Sequence, residues 1–288
     1  NTGFWNAAVG YSAMYSNTTG QGNVALGYET LRANTTGLYN TATGRQALYS
    51  NIAADGNTAT GFQALQLNTT GYDNVAVGRT ALKENTTGQG SVALGVNALV
   101  SNTTGSLCIA VGSHTLQYNN GNDSTAVGAY AMNLNTTGFN NVAIGRSALR
   151  ANTTASYNTA VGFESLRYNT TGASNTASGY GSLYANTTGY GNTAVGYQSL
   201  LNNTTATYNS AFGFQSMKAN ISGERNTAVG YTSLTSNTTG SFNAALSMHA
   251  LYYNTTGSDN TGAGYYALHK TTTGYDNTGI GKNALSEN

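Results

Sequence analysis

The sequence predicts a repeat solenoid of 17-residue coils, and three observations carry that prediction. The first is the period. A phrase close to N-T-A-V-G-Y-x-A-L-x-x-N-T-T-G-x-x starts at Asn6, Asn23, Asn40, Asn57, Asn74, Ser91 and Cys108; after one dropped residue it restarts at Ser124 and then every 17 residues from Asn141 to Asn277. A short fixed period along a whole chain marks units that bury their apolar face only against their neighbours. The second is the placement of charge. All 21 charged side chains fall at repeat positions 6, 7, 10, 11, 16 and 17. An unpaired buried charge is costly, so the charge-free positions 1–5, 8, 9 and 12–15 read as the interior. The third is composition: Gly 37 and Pro 0. A stacked backbone ladder needs its donors coil after coil, and proline would remove them.

Within one coil, positions 2–4, such as Val75-Ala76-Val77 and Val142-Ala143-Ile144, predict a short parallel strand. Position 5 is nearly always Gly, which predicts a sharp corner or a close backbone approach. Position 8 is only Ala, Ser or Thr, and position 9 is Leu or Met from Met14 to Leu285, which makes position 9 the main core plug. Positions 5, 8, 9 and 12 have helical spacing, so a one-turn helix or 3₁₀ segment is expected after the corner, closed by the Asn-Thr-Thr-Gly return. Strands stack about 4.8 Å apart whereas helices need about 8–10 Å. The alternative, an all-β roll, therefore stays open. About 17 repeats over residues 1–288 predict a single solenoid domain with no linker.

With 7% charged residues and a net charge of +1, nothing in the electrostatics calls for nucleic acid or an anionic membrane as a partner. No apolar run approaches the roughly 20 residues of a membrane span. The lone cysteine, Cys108, excludes an intrachain disulfide framework and reads as a small buried side chain. His114, His249 and His269 stand repeats apart or at mismatched positions, so no histidine metal site is expected. Asp259 and Asp276 share position 17 of adjacent coils, but the nonapeptide of calcium-binding β-rolls is absent. Gly279-Ile280-Gly281-Lys282 lacks the spacing of a phosphate loop and is the last copy of the repeat. No catalytic set departs from the periodic background. The expectation is a protein that is not an enzyme and has no cofactor.

Positions 12–14 spell a glycosylation acceptor thirteen times, at Asn17, Asn34, Asn68, Asn85, Asn102, Asn135, Asn152, Asn169, Asn186, Asn203, Asn220, Asn237 and Asn254. Two readings compete. One is a hydrogen-bonded Asn/Thr ladder inside the stack, and the other is a glycan-bearing surface. Ile52 and Ile221 at position 13 suggest a packed site there, and the two readings coexist if position 13 is packed while the position 12 asparagine points out. Position 6 is aromatic in five consecutive coils, Phe163, Tyr180, Tyr197, Phe214 and Tyr231. This column reads either as a self-stacking stripe that stiffens the solenoid or as a platform for sugars or partner chains.

The chain starts with Asn1-Thr2-Gly3-Phe4-Trp5, the last five positions of a repeat, and finishes on the first twelve, through Leu285 to Asn288. Those ends complete one another. Copies are therefore expected to stack head to tail into an open filament; the other reading is a window of a longer repeat protein.

The phrase from Asn192 to Thr205 resembles tandem repeats of phage tail-fibre and bacterial surface proteins. The core Val142-Ala143-Ile144-Gly145 is similar to the repeat of trimeric autotransporter adhesin heads, which is shorter and lacks both the position 9 Leu and the NTTG element. The resemblance implies an extracellular or cell- or virion-surface fibre or stalk, with no catalytic residues to carry over. The leading expectation is a structural fibre protein whose partner is itself, with glycans as the other candidate partner. The alternative is an adhesin or tail-fibre shaft that binds a surface glycan or receptor.

Overall fold

A computed structural model describes residues 2–287, and the chain divides into two compact units, Asn1–Asn141 and Val142–Asn288. Each unit is a parallel β-solenoid. The first carries eight three-residue strands, from Ala7–Val9 to Thr125–Val127, and the second carries nine, from Val142–Ile144 to Thr278–Ile280. Within each unit neighbouring strands pair in parallel and in register, one coil to the next, as Thr193↔Ser210 and Val195↔Phe212 illustrate.

Pairing fixes the alternation of side chains. The central residue of each strand from Val24–Leu26 onward points inward and is buried, alanine from Ala25 to Ala245 and glycine at Gly262 and Gly279. A methyl group at that point leaves room for the position 9 side chain from across the coil. From Leu31 to Leu268 these residues are fully buried, which is worth about 1.5–3 kcal/mol per leucine relative to exposure. No Lys, Arg, Asp or Glu is buried among the described residues.

The charge-free set is nevertheless larger than the interior. Strand positions 2 and 4 point outward, so Val24, Leu26, Val77 and Ile144 are exposed. Position 13 is outward as well, with Ile52 and Ile221 near half exposure (48% and 46%), which corrects the expectation of a packed site there. Absence of charge identifies columns that must pass close to their own copies in the next coil, where like charges would stack, as well as columns that are buried.

The expected helix or 3₁₀ segment is absent among the described residues, and the all-β alternative describes the coil. After the glycine corner the chain makes a turn over positions 6–11 in which positions 7 and 9 are both left-handed, as in Gln46 (φ 56°) and Leu48 (φ 50°). Alternate left-handed residues cannot build a right-handed helix. The physical reason is pitch: the strand ladder sets the coil spacing, and a helix on the opposite side would not fit it.

The corner glycine is required twice over. Gly196 has φ 130°, and a Cβ there would stand 2.3 Å from the carbonyl oxygen of Gly213 in the next coil. Ser247 alone holds this position without being glycine, at φ 127°. Backbone strain of this kind costs about 1–3 kcal/mol. Ser247→Gly is therefore expected to raise stability by about 1 kcal/mol or more, read as an upward shift of the urea midpoint at constant slope.

The shortened coil, Cys108–Asp123, keeps the stack by substitution of a side chain for backbone. In a regular coil the amides of positions 13 and 14 donate to the position 13 carbonyl of the next coil, as Thr69 and Thr70 do to Thr86. Thr103 and Thr104 instead donate to Asn120 Oδ1 (2.7 and 3.3 Å).

Candidate functional surfaces

Four sets of side chains stand out once the coil is built. The first is the position 12 asparagine ladder. Asn186 Nδ2 donates to Asn169 Oδ1 (2.8 Å) and to the Gly189 carbonyl (2.9 Å), while Asn186 Oδ1 accepts from Asn203 (2.8 Å). The same chain of amides links Asn17, Asn34, Asn51, Asn68, Asn85 and Asn102 in the first unit, and every position 12 asparagine from Asn152 to Asn254 in the second. It halts at Asn254, because position 12 of the next coil is Thr271. Asn135 belongs to the same column and donates to the Gly138 carbonyl. All thirteen acceptor asparagines are buried. The structure favours the ladder reading over the glycan-bearing surface: the nitrogen that would carry sugar is enclosed and donates within the stack, and the exposed member of the motif is the hydroxyl residue two positions on. A second ladder runs along position 1, where Asn192 Nδ2 donates to Asn175 Oδ1 (3.2 Å) and the Ala206 carbonyl (2.8 Å).

The second set is the position 6 column. Phe163, Tyr180, Tyr197, Phe214 and Tyr231 stack with centroids 5.1–5.4 Å apart and interplanar angles of 7–13°. Spacing and angle follow from the strand pitch. The inner rings of the stack, Tyr180, Tyr197 and Phe214, have both faces covered by neighbouring rings and present their edges outward. A sugar would need a ring face, so the column is built as a self-stacking stripe. Arginine continues such a column: Arg45 lies 5.6 Å from the Tyr28 centroid and 5.9 Å from that of Phe62.

The third set was not visible from register alone. His249 and His269, at positions 7 and 10 of adjacent coils, meet with ring centroids 6.0 Å apart, in a cluster with Tyr252, Tyr253 and Tyr266. The turn brings positions 7 and 10 together across the coil boundary, which the sequence spacing of 20 hides. Among the described residues no three His, Cys, Asp or Glu groups converge as a metal site. Burial, and secondarily His269, lower the pKa of His249 below the ordinary histidine value. Its other neighbours are the Tyr231 ring and Thr232 Oγ1, 2.9 Å from Nδ1. The unfolded chain then binds more protons in the ordinary histidine range, so this group lowers stability as pH falls through about 6.5. The urea midpoint is expected to fall between about pH 7.5 and 5.5, and to fall less in His249→Tyr. Tyr130 and Tyr266 already occupy position 7 with the same backbone, so that substitution keeps the turn.

Cys108 is fully buried. Its thiol lies 3.2 Å from the Gly121 carbonyl, and burial raises its pKa, which holds it in the protonated, unreactive form.

The fourth set is the junction group. Asn1 and Asn288 lie outside the described residues. Thr2, Phe4, Trp5 and Leu285 are exposed, Trp5 at 80% and Leu285 at 50%, and Gly3 is half-buried. Leu285 belongs to the position 9 column, whose side chains from Leu31 to Leu268 are fully buried. No helix among the described residues is long and apolar enough to cross a membrane.

Comparison with family models, with curated proteins and with solved structures returned no match to this chain. The fold and the repeat place the chain in the class of parallel β-solenoid repeat proteins.

Proposed function

We propose that this chain is a structural fibre protein of the cell or virion surface, whose copies add end to end in the register that joins its own coils. The observation that supports this reading is the sameness of the joints inside each unit. Each coil meets the next through one parallel, in-register pairing, as Thr193↔Ser210 and Thr261↔Thr278 illustrate, over a fully buried position 9 side chain. A second copy that joins in the same register repeats that joint, and a head-to-tail contact of this kind does not close on itself. The extracellular placement rests on the resemblance to surface and tail-fibre repeats.

Light scattering across a concentration series, with negative-stain microscopy of the same samples, tests the reading. Filaments of uniform width that lengthen with concentration are expected, and Leu285→Lys should abolish them while leaving the fold intact. Discrete particles of one size at every concentration would remove the proposal.

A further inference from the structure

Position 7 carries a third hydrogen-bonded column, on the outer side of the turn. Gln46 Nε2 donates to Glu29 Oε2 (2.9 Å), and Gln63 Nε2 donates to Gln46 Oε1 (3.1 Å). The column repeats farther along, where Gln215 Nε2 donates to Gln198 Oε1 (2.9 Å). In the second case the chain of amides does not continue to its carboxylate. Position 7 of the preceding coil is Gly181, the one glycine in this column, and Glu164 stands a coil beyond it. At the strand pitch the two ends, Gln198 and Glu164, lie about 10 Å apart.

The backbone does not require that glycine. Gly181 has φ 59°, and an added Cβ would meet Leu201 Cδ1 at 3.5 Å and Gln198 Cγ at 3.8 Å, ordinary contacts. Glutamine occupies the same conformation at Gln46, Gln63, Gln198 and Gln215, with φ 51–56°. What the missing side chain leaves is a notch of about 270 Å³, lined by Glu164, Tyr180, Tyr184, Gln198, Leu201 and Asn202. That is near the lower end of small-molecule sites, which start at about 300 Å³.

The lining specifies the occupant. Gln198 has its oxygen engaged by Gln215, and the acceptor that its amide hydrogens meet elsewhere in the column is missing. Glu164 is ion-paired with Arg167 and still offers carboxylate lone pairs. Asn202 supplies a further exposed amide. No uncompensated charge lines the notch, so an ionic ligand gains nothing there. Leu201, Tyr184 and the Tyr180 edge give apolar wall. Tyr184 is held by edge-to-face packing on Tyr168 at 5.0 Å. A compact neutral ring with hydroxyls on its rim and C–H groups on its faces matches these groups.

We propose that the notch at Gly181 binds a single neutral sugar ring, with Gln198 donating to one hydroxyl and Glu164 accepting from another across the gap. This inference is independent of end-to-end assembly and concerns a surface on the second unit alone. The ring stack of position 6 contributes only the Tyr180 edge.

The test uses the full 288-residue chain and four probes, the methyl pyranosides of glucose, galactose, mannose and N-acetylglucosamine, in saturation-transfer NMR and calorimetry. At least one is expected to bind with a Kd of about 1–10 mM, the range open to a few hydrogen bonds on a small ligand. Gly181→Gln, which fills the notch and completes the amide column, should abolish binding with no loss of thermal stability. Glu164→Gln should weaken binding by about tenfold, as expected for loss of one charge-assisted hydrogen bond. Absence of binding by all four probes up to about 50 mM would overturn the proposal. Equal binding by Gly181→Gln would do the same.

Discussion

Gly196→Ala is expected to lower stability by about 3–5 kcal/mol, combining backbone strain with overpacking against a neighbour that cannot yield. The added Cβ would lie 2.3 Å from Gly213 O, 2.7 Å from Gly213 C and 3.3 Å from its Cα. All three are backbone atoms of the next coil, so relief requires the two coils to separate. Separation would break the interface on which each coil depends, since Gly196 N also donates to the Ser178 carbonyl behind it (2.8 Å). Hydrogen exchange should show the loss concentrated in coils 175–225, and chemical denaturation should report its size. A loss below about 1 kcal/mol would mean that the corner is set by something other than close approach. The wild-type serine at position 247 shows that one such corner can be strained without dismantling the stack.

The second large effect is expected in the asparagine ladder. Asn186→Ala should cost about 3–4 kcal/mol, because it removes three hydrogen bonds and leaves the buried Asn169 Oδ1 without its donor. The groups on either side are not equally hurt. The Gly189 carbonyl keeps a donor in Asn175 (2.9 Å), and Asn203 keeps its bond to the Ala206 carbonyl (3.1 Å). Asn254→Ala, where the ladder already halts, should cost less. It loses the bonds to Asn237 and Gly257 but has no asparagine beyond it to strand. Urea denaturation of the pair measures the difference; equal losses would show that the amides act one by one rather than as a chain. The same geometry accounts for the thirteen acceptor motifs without sugar, since Asn-Thr-Thr places an amide inward and a hydroxyl outward. Outside, Thr187 Oγ1 donates to the Thr204 carbonyl (3.0 Å), so the threonines tie the coils on the surface as the asparagines tie them within.

The amide chain and the ring stack were both legible as columns because a fixed period makes any residue its own neighbour one coil on. Phe163 to Tyr231 had to stack once the pitch was that of a parallel strand ladder, and position 9 had to be the plug. The His249–His269 pair was not legible, because positions 7 and 10 belong to different columns until the turn is folded. The Gly181 notch had a signal, a single glycine in an otherwise side-chain-bearing column, but glycine alone does not tell a tight corner from a gap. Only the neighbours at 3.5 and 3.8 Å, against 2.3 Å at Gly196, separate the two cases.

Periodicity by itself determined the solenoid, the coil length, the alanine and leucine interior and the exclusion of charge from it. The tertiary structure decided which way each uncharged column faces, with the asparagine amides of position 12 inside and strand positions 2 and 4 outside. It also decided that the turn is built from alternating left-handed residues rather than a helix. The reason is that a sequence column fixes what meets its own copy in the next coil, whereas the path that closes one coil is set by strand pitch and by how inward side chains share one narrow interior.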